Sequence, residues 1–171
     1  MSIERHRSEA EDIEVRFCVV VTSDKVLLGV YEDKVVPLVT EILSRHGFNL
    51  NSYSIVPNDV ERISSAISNS LASCDAVLIS GGTGLGPKDV SVDVVRGMCV
   101  KEIPGFGELF RYLTYQAHGT AALATRAMAC AVGDKLVFVI PGSPNAVSLA
   151  LEKLVLPEVR HLIAELRGLR H

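Results

Sequence analysis

The sequence lacks the features that mark several large classes of protein. It has no tryptophan, aromatic residues make up only 5% of its 171 positions, and its formal net charge of −3 gives it no basic excess. Since nucleic acids and acidic membranes are bound by basic surfaces, we expect neither as a partner, although one loop can still bind a small anion. No apolar run reaches the roughly 18–20 residues of a membrane helix, and residues 1–16 contain no apolar signal-peptide region. We therefore expect a cytoplasmic protein.

Spacings typical of metal or redox sites are missing as well. The four cysteines (Cys18, Cys74, Cys99 and Cys130) form no C-x-x-C pair, and the five histidines form no H-x-x-x-H pair. Cys18 and Cys130 stand among apolar neighbours, so we interpret them as free thiols that pack as small core hydrophobes. No histidine is assigned a catalytic or metal-binding role.

What the sequence contains is a regular alternation of apolar strands and amphipathic helices. Hydrophobic residues make up 48% of the chain, which is enough for one sizeable core. We predict a loosely ordered lead-in over residues 1–14 and a single α/β domain over residues 15–171. Within that domain, strands over 15–24, 48–56 and 74–79 alternate with helices over 31–46 and 57–72, which is typical of a parallel sheet.

The second half of the chain departs from this alternation. Further helices are predicted over 90–100, over 104–119 and over 145–167, the last as one long helix or two consecutive ones. In the helix over 104–119 we place Leu109, Phe110, Tyr112 and Leu113 on the inner face. A Gly-Asp turn in "VGDK" joins two apolar runs, and this indicates a hairpin that adds one antiparallel strand.

The stretch "SGGTGLGPKDVS", residues 80–91, follows the third predicted strand and is the strongest candidate for a site. In parallel α/β sheets ligands collect at the carboxyl ends of the strands. Glycines there let backbone N–H groups point at an anion, and Lys88 can add a point charge. Asp89 has two interpretations. It either holds a divalent cation against a bound phosphate or caps the next helix.

Four motifs, taken in order, resemble a known family. "SGGTGLGPKDVS", "KEIPGFGELFR", "TRAMA" and "PGSPNAV" are similar to the motifs of the MoaB/Mog molybdenum cofactor family, and the resemblance covers residues 15–165. It implies a three-layer α/β/α sandwich with a mostly parallel central sheet and one antiparallel strand. It also implies a homo-oligomer, either a trimer or a hexamer, that binds molybdopterin. Active members use Mg²⁺ and ATP to adenylylate the terminal phosphate of molybdopterin and release pyrophosphate, and a molybdate-insertion protein then takes the product.

The resemblance also assigns residues. It implies a catalytic role for Asp89, Asp59 and Asn58, with Asp89 and Asp59 around the metal ion. Phosphate and molybdopterin binding is implied for a larger set: Gly81, Gly82, Thr83, Gly84, Thr114, Thr125, Arg126, Pro141, Gly142 and Ser143. Ser143 has a second interpretation as a helix cap. Asp24 and Asp33 match acidic positions of the family but rank below Asp89 and Asp59.

One departure from the family pattern divides the functional hypotheses. Active members have an aspartate where this chain has Asn58, in the segment "PND". An amide oxygen can still ligate a metal ion but supplies no negative charge, so Asp59 would have to serve instead. The first hypothesis is a molybdopterin adenylyltransferase, and the alternative is a non-catalytic MoaB-type molybdopterin-binding oligomer. A more remote one is a nucleotide-binding protein without pterin specificity.

Overall fold

A six-stranded mixed sheet forms the centre of the protein. The computed structural model describes residues 12–169, so most of the predicted lead-in lies outside the described residues. The strands are β1 Phe17–Thr22, β2 Leu50–Val56, β3 Ala76–Ser80, β4 Lys101–Glu102, β5 Met128–Val132 and β6 Lys135–Ile140. Their order across the sheet is β2-β1-β3-β6-β5-β4. The four strands from β2 to β6 are parallel, and β5 runs antiparallel to both of its neighbours. The prediction of one antiparallel strand is confirmed, whereas the two-residue strand β4 was not predicted.

The helices follow the predicted segments closely, except that the short helix over 24–27 was not predicted. They are α1 Asp24–Leu27, α2 Val35–Arg45, α3 Val60–Ser73, α4 Ser91–Met98, α5 Pro104–His118, α6 Pro144–Ala150 and α7 Leu156–Leu166. A 3₁₀ segment, Gly119–Ala124, follows α5, and a π-helical turn, Leu151–Val155, joins α6 to α7 without a break. Among the described residues no helix is both long and apolar enough to span a bilayer.

Two hydrophobic clusters cover the two faces of the sheet. Alternate side chains of β1 point to opposite faces, so Phe17, Val19 and Val21 pack with α2, α5, α6 and α7. Cys18 and Val20 pack on the other face with α3 and α4. Helices therefore cover both faces of one sheet, and the predicted α/β/α sandwich is confirmed.

The prediction of free thiols is wrong. All four cysteines are paired, Cys18 with Cys74 and Cys99 with Cys130. Their sequence separations of 56 and 31 residues carry no local signal. Cys18 and Cys74 come together through the pairing of β1 with β3, and Cys99 and Cys130 through the pairing of β4 with β5. The predicted burial is correct, because Cys18, Cys74 and Cys130 are completely shielded from solvent.

The inner face of α5 also differs from the prediction. Phe106 and Phe110 are buried, whereas Leu109 and Tyr112 expose 52% and 57% of their surface. Residues four apart share one helix face, so the two phenylalanines occupy the side that packs on the sheet. Leu109 and Tyr112 consequently lie on the opposite side.

An ion cluster closes the amino end of the sheet. Asp75, only 3% exposed, accepts hydrogen bonds from the Arg16 backbone N–H at 2.8 Å and from Arg167 Nη2 at 2.6 Å. Lys135 Nζ lies 3.8 Å from the same carboxylate. Burial alone would raise the pKa of Asp75, but the hydrogen bonds from Arg16 and Arg167 outweigh it and hold the pKa far below its usual value. The cluster links Arg167, the residue after α7, to Asp75, the residue before β3.

Candidate functional site

The glycine loop begins where β3 ends, and its first two positions have backbone conformations that favour glycine. Gly81 and Gly82 have positive φ angles of 108° and 71°, which favour glycine strongly. A Cβ atom on Gly81 would also lie 2.6 Å from the Thr22 carbonyl oxygen. The Gly81 N–H donates to Ile140 at 2.9 Å, so this amide holds the loop against β6 rather than pointing at a ligand.

Arg126 holds the glycine loop in place through hydrogen bonds to its backbone. Its guanidinium donates to the carbonyl oxygens of Gly84 at 3.0 Å and Asp89 at 2.7 Å, and its backbone N–H donates to Thr83 at 2.9 Å. The same guanidinium makes a two-pronged pair with Asp93, at 2.8 and 3.1 Å. Arg126 therefore lowers the pKa of Asp93 and positions the loop.

Asp89 lies within the loop, beside its glycines. Its Oδ2 accepts the Gly86 N–H at 3.0 Å, and a Cβ on Gly84 would lie 2.8 Å from the same oxygen. Helix α4 begins after Val90, which is its N-cap residue. Asp89 does not cap that helix, so the capping interpretation is wrong and the half-buried carboxylate remains beside the loop.

The loops that follow β1, β2 and β3 meet at one carboxylate. Asp24 accepts the backbone N–H of Asn58 at 2.9 Å and the ammonium of Lys88 at 2.9 Å. Lys88, and then Asn58, lower the pKa of Asp24 through these hydrogen bonds. The neighbouring Asp59 accepts the Arg62 N–H at 3.0 Å as the N-cap of α3. Asp24 thus connects the three loops, although the sequence analysis ranked it below Asp89 and Asp59.

A cavity of about 320 Å³ lies between the glycine loop, α5 and the start of α6. We call it the loop cavity. Six of the predicted binding residues line it: Thr83, Gly84, Thr114, Thr125, Pro141 and Ser143. Their hydroxyl groups surround an apolar wall formed by Phe110, Ala146 and Leu149. The cavity therefore offers several hydrogen-bonding groups beside an apolar surface.

The hydroxyls of this cavity are held in defined positions. Thr114 Oγ1 donates to the Phe110 carbonyl at 2.7 Å, and Thr125 Oγ1 lies 3.5 Å from Thr83 Oγ1. Ser143 is the N-cap of α6, and its Oγ accepts the Ala146 N–H at 3.2 Å. The helix-cap interpretation of Ser143 is confirmed, and its role in ligand binding stays a prediction for a residue that lines the cavity.

Four of the predicted binding residues do not line this cavity, namely Gly81, Gly82, Arg126 and Gly142. Gly81 and Gly82 form the strand-to-loop turn, and Gly142 faces a different cavity. Two polar lining residues were missed by the sequence analysis, His118 and Asn145. The spacing of Thr114 and His118 would have indicated the first, since residues four apart share a helix face.

A second cavity, of about 460 Å³, lies on the other side of the 141–144 loop. We call it the β1 cavity, because Val21, Thr22 and Ser23 line it together with Tyr31 and Asp33. The loop alternates between the two cavities. Pro141 and Ser143 border the loop cavity, whereas Gly142 and Pro144 border the β1 cavity.

The carboxylates near these cavities limit what metal ion can bind. Within residues 12–169 no three histidine, cysteine, aspartate or glutamate side chains are placed to hold a metal ion together. Magnesium is usually held by one or two carboxylates together with substrate phosphates. Asp89 fits that mode, since it lies on the loop beside the cavity. A metal-binding role for Asp59 stays a prediction, because the structure shows its carboxylate at the start of α3.

Known proteins share both the sequence and the fold of this chain. A family model described as "Probable molybdopterin binding domain" matches residues 18–161. Molybdenum cofactor biosynthesis protein B of Bacillus subtilis is 38% identical over 173 residues, which is 98% of each chain. The chain belongs to the MoaB/Mog molybdopterin-binding family.

Solved structures of MoaB proteins agree with this assignment. A crystal structure of a molybdenum cofactor biosynthesis protein B superimposes with a TM-score of 0.85 at 40% identity, covering 91% of this chain and 98% of the other. The tungsten cofactor synthesizing protein MoaB from Pyrococcus furiosus gives a TM-score of 0.83 at 35% identity, covering 90% and 98%. The MoaB/Mog match includes every residue of the predicted site.

Proposed function

We propose that this MoaB/Mog chain binds molybdopterin in the loop cavity and adenylylates its terminal phosphate with Mg-ATP. The products would be adenylyl-molybdopterin and pyrophosphate. The observation that carries the proposal is the loop cavity itself, which combines the Thr83, Thr114 and Thr125 hydroxyls with an apolar wall at the carboxyl edge of the sheet. Molybdopterin presents both kinds of group, because its pterin ring is flat with a polar edge and its phosphate forms hydrogen bonds.

The chemistry asks the protein mainly for position and charge balance. An oxygen of the molybdopterin phosphate would attack the α-phosphorus of ATP, and the bond from that phosphorus to pyrophosphate would break. Such transfers need no covalent nucleophile on the protein. A magnesium ion would neutralise part of the phosphate charge, and Asp89 is the residue best placed to hold it. Arg126 keeps the loop that carries Asp89 in place.

The alternative is a MoaB-type protein that binds molybdopterin without turning it over. One observation favours it. Asn58, which replaces the family aspartate, donates its backbone N–H to Asp24, and Asp24 also pairs with Lys88. Lys88 therefore balances the charge of Asp24 at the meeting point of the three loops, and Asn58 adds no second carboxylate there for a metal ion.

We also propose that the chain forms a homo-oligomer, a trimer or a hexamer. Large apolar side chains are exposed on α5 and the segment after it, and Leu109, Tyr112 and Leu123 expose 52%, 57% and 84% of their surface. Burial of such a surface between copies would remove it from water. A cytoplasmic location and a molybdate-insertion protein as partner belong to the same proposal.

The deciding experiment measures adenylyl transfer directly. Purified protein is mixed with molybdopterin, ATP and magnesium, and the adenylylated product is followed by chromatography. We expect product from the wild type and at least a hundredfold loss in Asp89→Ala. The matched control is Asp134→Ala, since Asp134 lies in the β5–β6 turn and makes only a partly exposed pair with Arg167.

The other outcomes are equally informative. Molybdopterin binding without product would establish the alternative, and Asn58→Asp should then restore transfer if the missing carboxylate is the cause. If Asp59 already serves as the second carboxylate, Asn58→Asp should change little and Asp59→Ala should abolish transfer. A protein that binds ATP but no molybdopterin would overturn both hypotheses.

A further inference from the structure

We propose that the groove between β2 and α3 binds an extended acidic segment of a partner protein, which adds a strand to β2. The groove is a cavity of about 510 Å³, bordered by residues 52–57 on one side and by residues 62–70 of α3 on the other. We call it the β2 groove. None of the residues proposed to bind molybdopterin or magnesium lines it, so the inference stands apart from the proposed adenylyl transfer.

The two edge strands of the sheet differ in how they are protected. Natural edge strands are usually very short, charged, bulged or interrupted by proline, because their unpaired backbone groups otherwise pair with another chain. Strand β4 is two residues long, and both of them, Lys101 and Glu102, are charged. Strand β2 is seven residues long and contains no charged residue and no proline. A bulge lies at its start, opposite Phe17 and Cys18, so residues 52–56 form a regular and unprotected edge.

Backbone groups of alternate residues face outward along this edge. Successive residues of a strand direct their N–H and C=O groups to opposite sides. The Val56 carbonyl accepts the Ser23 N–H at 3.0 Å on the side of β1. Ser54 therefore also faces β1, and Tyr53 and Ile55 direct their donors and acceptors away from the sheet. An extended peptide that lies along β2 would form main-chain hydrogen bonds with both residues.

Helix α3 leaves room beside this edge. Ser65, Ala66, Asn69 and Ser70 lie three or four positions apart, so they share one face of the helix, and all four line the groove. Because these side chains are small, the side chains of an added strand can enter the space between helix and edge. Ser54 Oγ borders the same space, is buried and has no hydrogen-bond partner among the described residues. Buried polar groups are normally paired, and an incoming segment would supply the missing partner.

The charge of the groove indicates the chemistry of that segment. Arg62, in the first turn of α3, is the one charged residue in the lining. The ion pairs formed within residues 12–169 do not include it. Asp59 accepts the backbone N–H of Arg62 at 3.0 Å and leaves the guanidinium available. A guanidinium binds a carboxylate through two parallel hydrogen bonds, so the segment should carry an acidic group at the carboxyl end of β2.

A second copy of the chain fits the groove less well than a partner protein. Strand β2 contains no acidic residue, so two paired β2 strands would bring no carboxylate of their own to Arg62. The occupant is instead an acidic segment with an extended backbone and side chains small enough for the space beside α3.

The test selects a ligand and then locates it. A library of random peptides displayed on phage is selected against the purified protein, and the recovered peptides are synthesised. Their dissociation constants are measured by fluorescence anisotropy for the wild type and for variants. Tyr53→Pro removes one outward N–H, and its matched control Tyr53→Ala keeps that N–H. Arg62→Gln removes the charge, and its control Arg45→Gln removes an exposed arginine of α2.

We expect the recovered peptides to be rich in aspartate or glutamate. They should bind about tenfold more weakly to Tyr53→Pro, because a main-chain hydrogen bond is lost and its acceptor is left unpaired. Arg62→Gln should also weaken binding about tenfold, through the loss of charge-assisted hydrogen bonds. Tyr53→Ala and Arg45→Gln should stay within about twofold of the wild type.

Two further measurements keep the test decisive if Tyr53→Pro folds poorly. Ser65→Glu changes an exposed helix position and should abolish binding, because it fills the groove and repels an acidic segment. In the wild type, bound peptide should slow hydrogen exchange at the amides of Tyr53 and Ile55. Molybdopterin affinity should be the same in all these variants.

Several results would overturn the inference. A selection that recovers no peptide, or peptides that bind Tyr53→Pro and Ser65→Glu as tightly as the wild type, would show that the groove is not the binding surface. Recovered peptides without acidic residues would reject the role of Arg62. A wild-type oligomer that dissociates in Tyr53→Pro, measured by analytical ultracentrifugation, would show that a second copy occupies the edge in place of a partner.

Discussion

The two ends of the central sheet use the same kinds of side chain for different purposes. At the amino end, Asp75 is buried and receives hydrogen bonds from Arg16 and Arg167. At the carboxyl end, Asp24 pairs with Lys88, whose side chain is 76% exposed. Removing one partner of a buried pair is strongly destabilising. An exposed pair contributes little to stability and can change partners.

The difference separates a stabilising end of the sheet from the end that carries the candidate site. The amino end joins Arg16 at the start of β1, Asp75 before β3 and Arg167 after α7, so its ion cluster holds the fold closed. The carboxyl end contains glycine turns, two adjacent cavities and half-exposed carboxylates. Substitutions at the amino end should therefore change the free energy of unfolding, and those at the carboxyl end should change ligand affinity.

The largest expected effect comes from the disulfide at the amino end. Cys18→Ala/Cys74→Ala should lower the free energy of unfolding by about 3–4 kcal/mol, because it opens a loop of 56 residues in the unfolded chain. Urea unfolding monitored by circular dichroism measures this loss. Molybdopterin affinity should stay within about twofold of the wild type.

Two controls check that prediction. Wild-type protein in a strong reductant should lose at least as much stability as the double variant, because both disulfides then open. Cys99→Ala/Cys130→Ala should lose slightly less, since its loop spans 31 residues. Four titratable thiols in the untreated, unfolded protein would contradict the pairing.

Removing the charge of Asp75 should have the next largest effect. Breaking a fully buried pair costs about 3–5 kcal/mol, but the Arg16 side chain is 50% exposed, so solvent screens part of the interaction. We therefore expect Asp75→Asn to lower the free energy of unfolding by about 2–3 kcal/mol. Asp12→Asn serves as the control, because it removes the same charge from an exposed aspartate.

The same variant should respond differently to acid. The lowered pKa of Asp75 means that its stabilisation is complete above the unfolded value of about 3.9 and is lost as pH falls below it. Wild-type stability should thus decline between about pH 5 and pH 2, and Asp75→Asn should decline less over that interval. Parallel curves for the two proteins would show that Asp75 does not titrate as the structure indicates.

The smallest expected effect concerns the carboxyl end of the sheet. Arg126→Lys keeps the charge but loses the planar fork that contacts Gly84, Asp89 and Asp93. Molybdopterin affinity should fall about tenfold, while the free energy of unfolding changes by less than about 1 kcal/mol. Arg45→Lys alters an exposed pair with Glu152 and should leave both quantities unchanged. A larger loss of stability than of affinity would show that Arg126 mainly stabilises the fold, as the amino-end cluster does.

Most of the fold followed from the sequence because its signals are local. The alternation of buried strands and amphipathic helices predicted the layers, and the Gly-Asp turn predicted the antiparallel strand β5. The disulfides could not be predicted in this way, because Cys18 and Cys74 come together only through strand pairing. The exposure of Leu109 and Tyr112 was missed for a similar reason, since only packing shows which side of an apolar helix meets the sheet.

For the candidate site, the sequence predicted which loops lie around the loop cavity. Motif order indicated the loops, and six of the ten predicted binding residues line one cavity. The β1 cavity and the central place of Asp24 were not predicted as such, because each depends on how separate loops meet after folding. Asp24 contacts Asn58 and Lys88 across sequence distances of 34 and 64 residues, and no short motif spans them.

The alternation of the 141–144 loop has a consequence for how its length can vary. Neighbouring residues of the loop face opposite cavities. Inserting or deleting one residue would therefore turn each following residue of the loop toward the other cavity, as a slipped register does in a strand. Substitution of a single residue alters one wall and leaves the other in place. The loop should therefore tolerate changes of identity far better than changes of length.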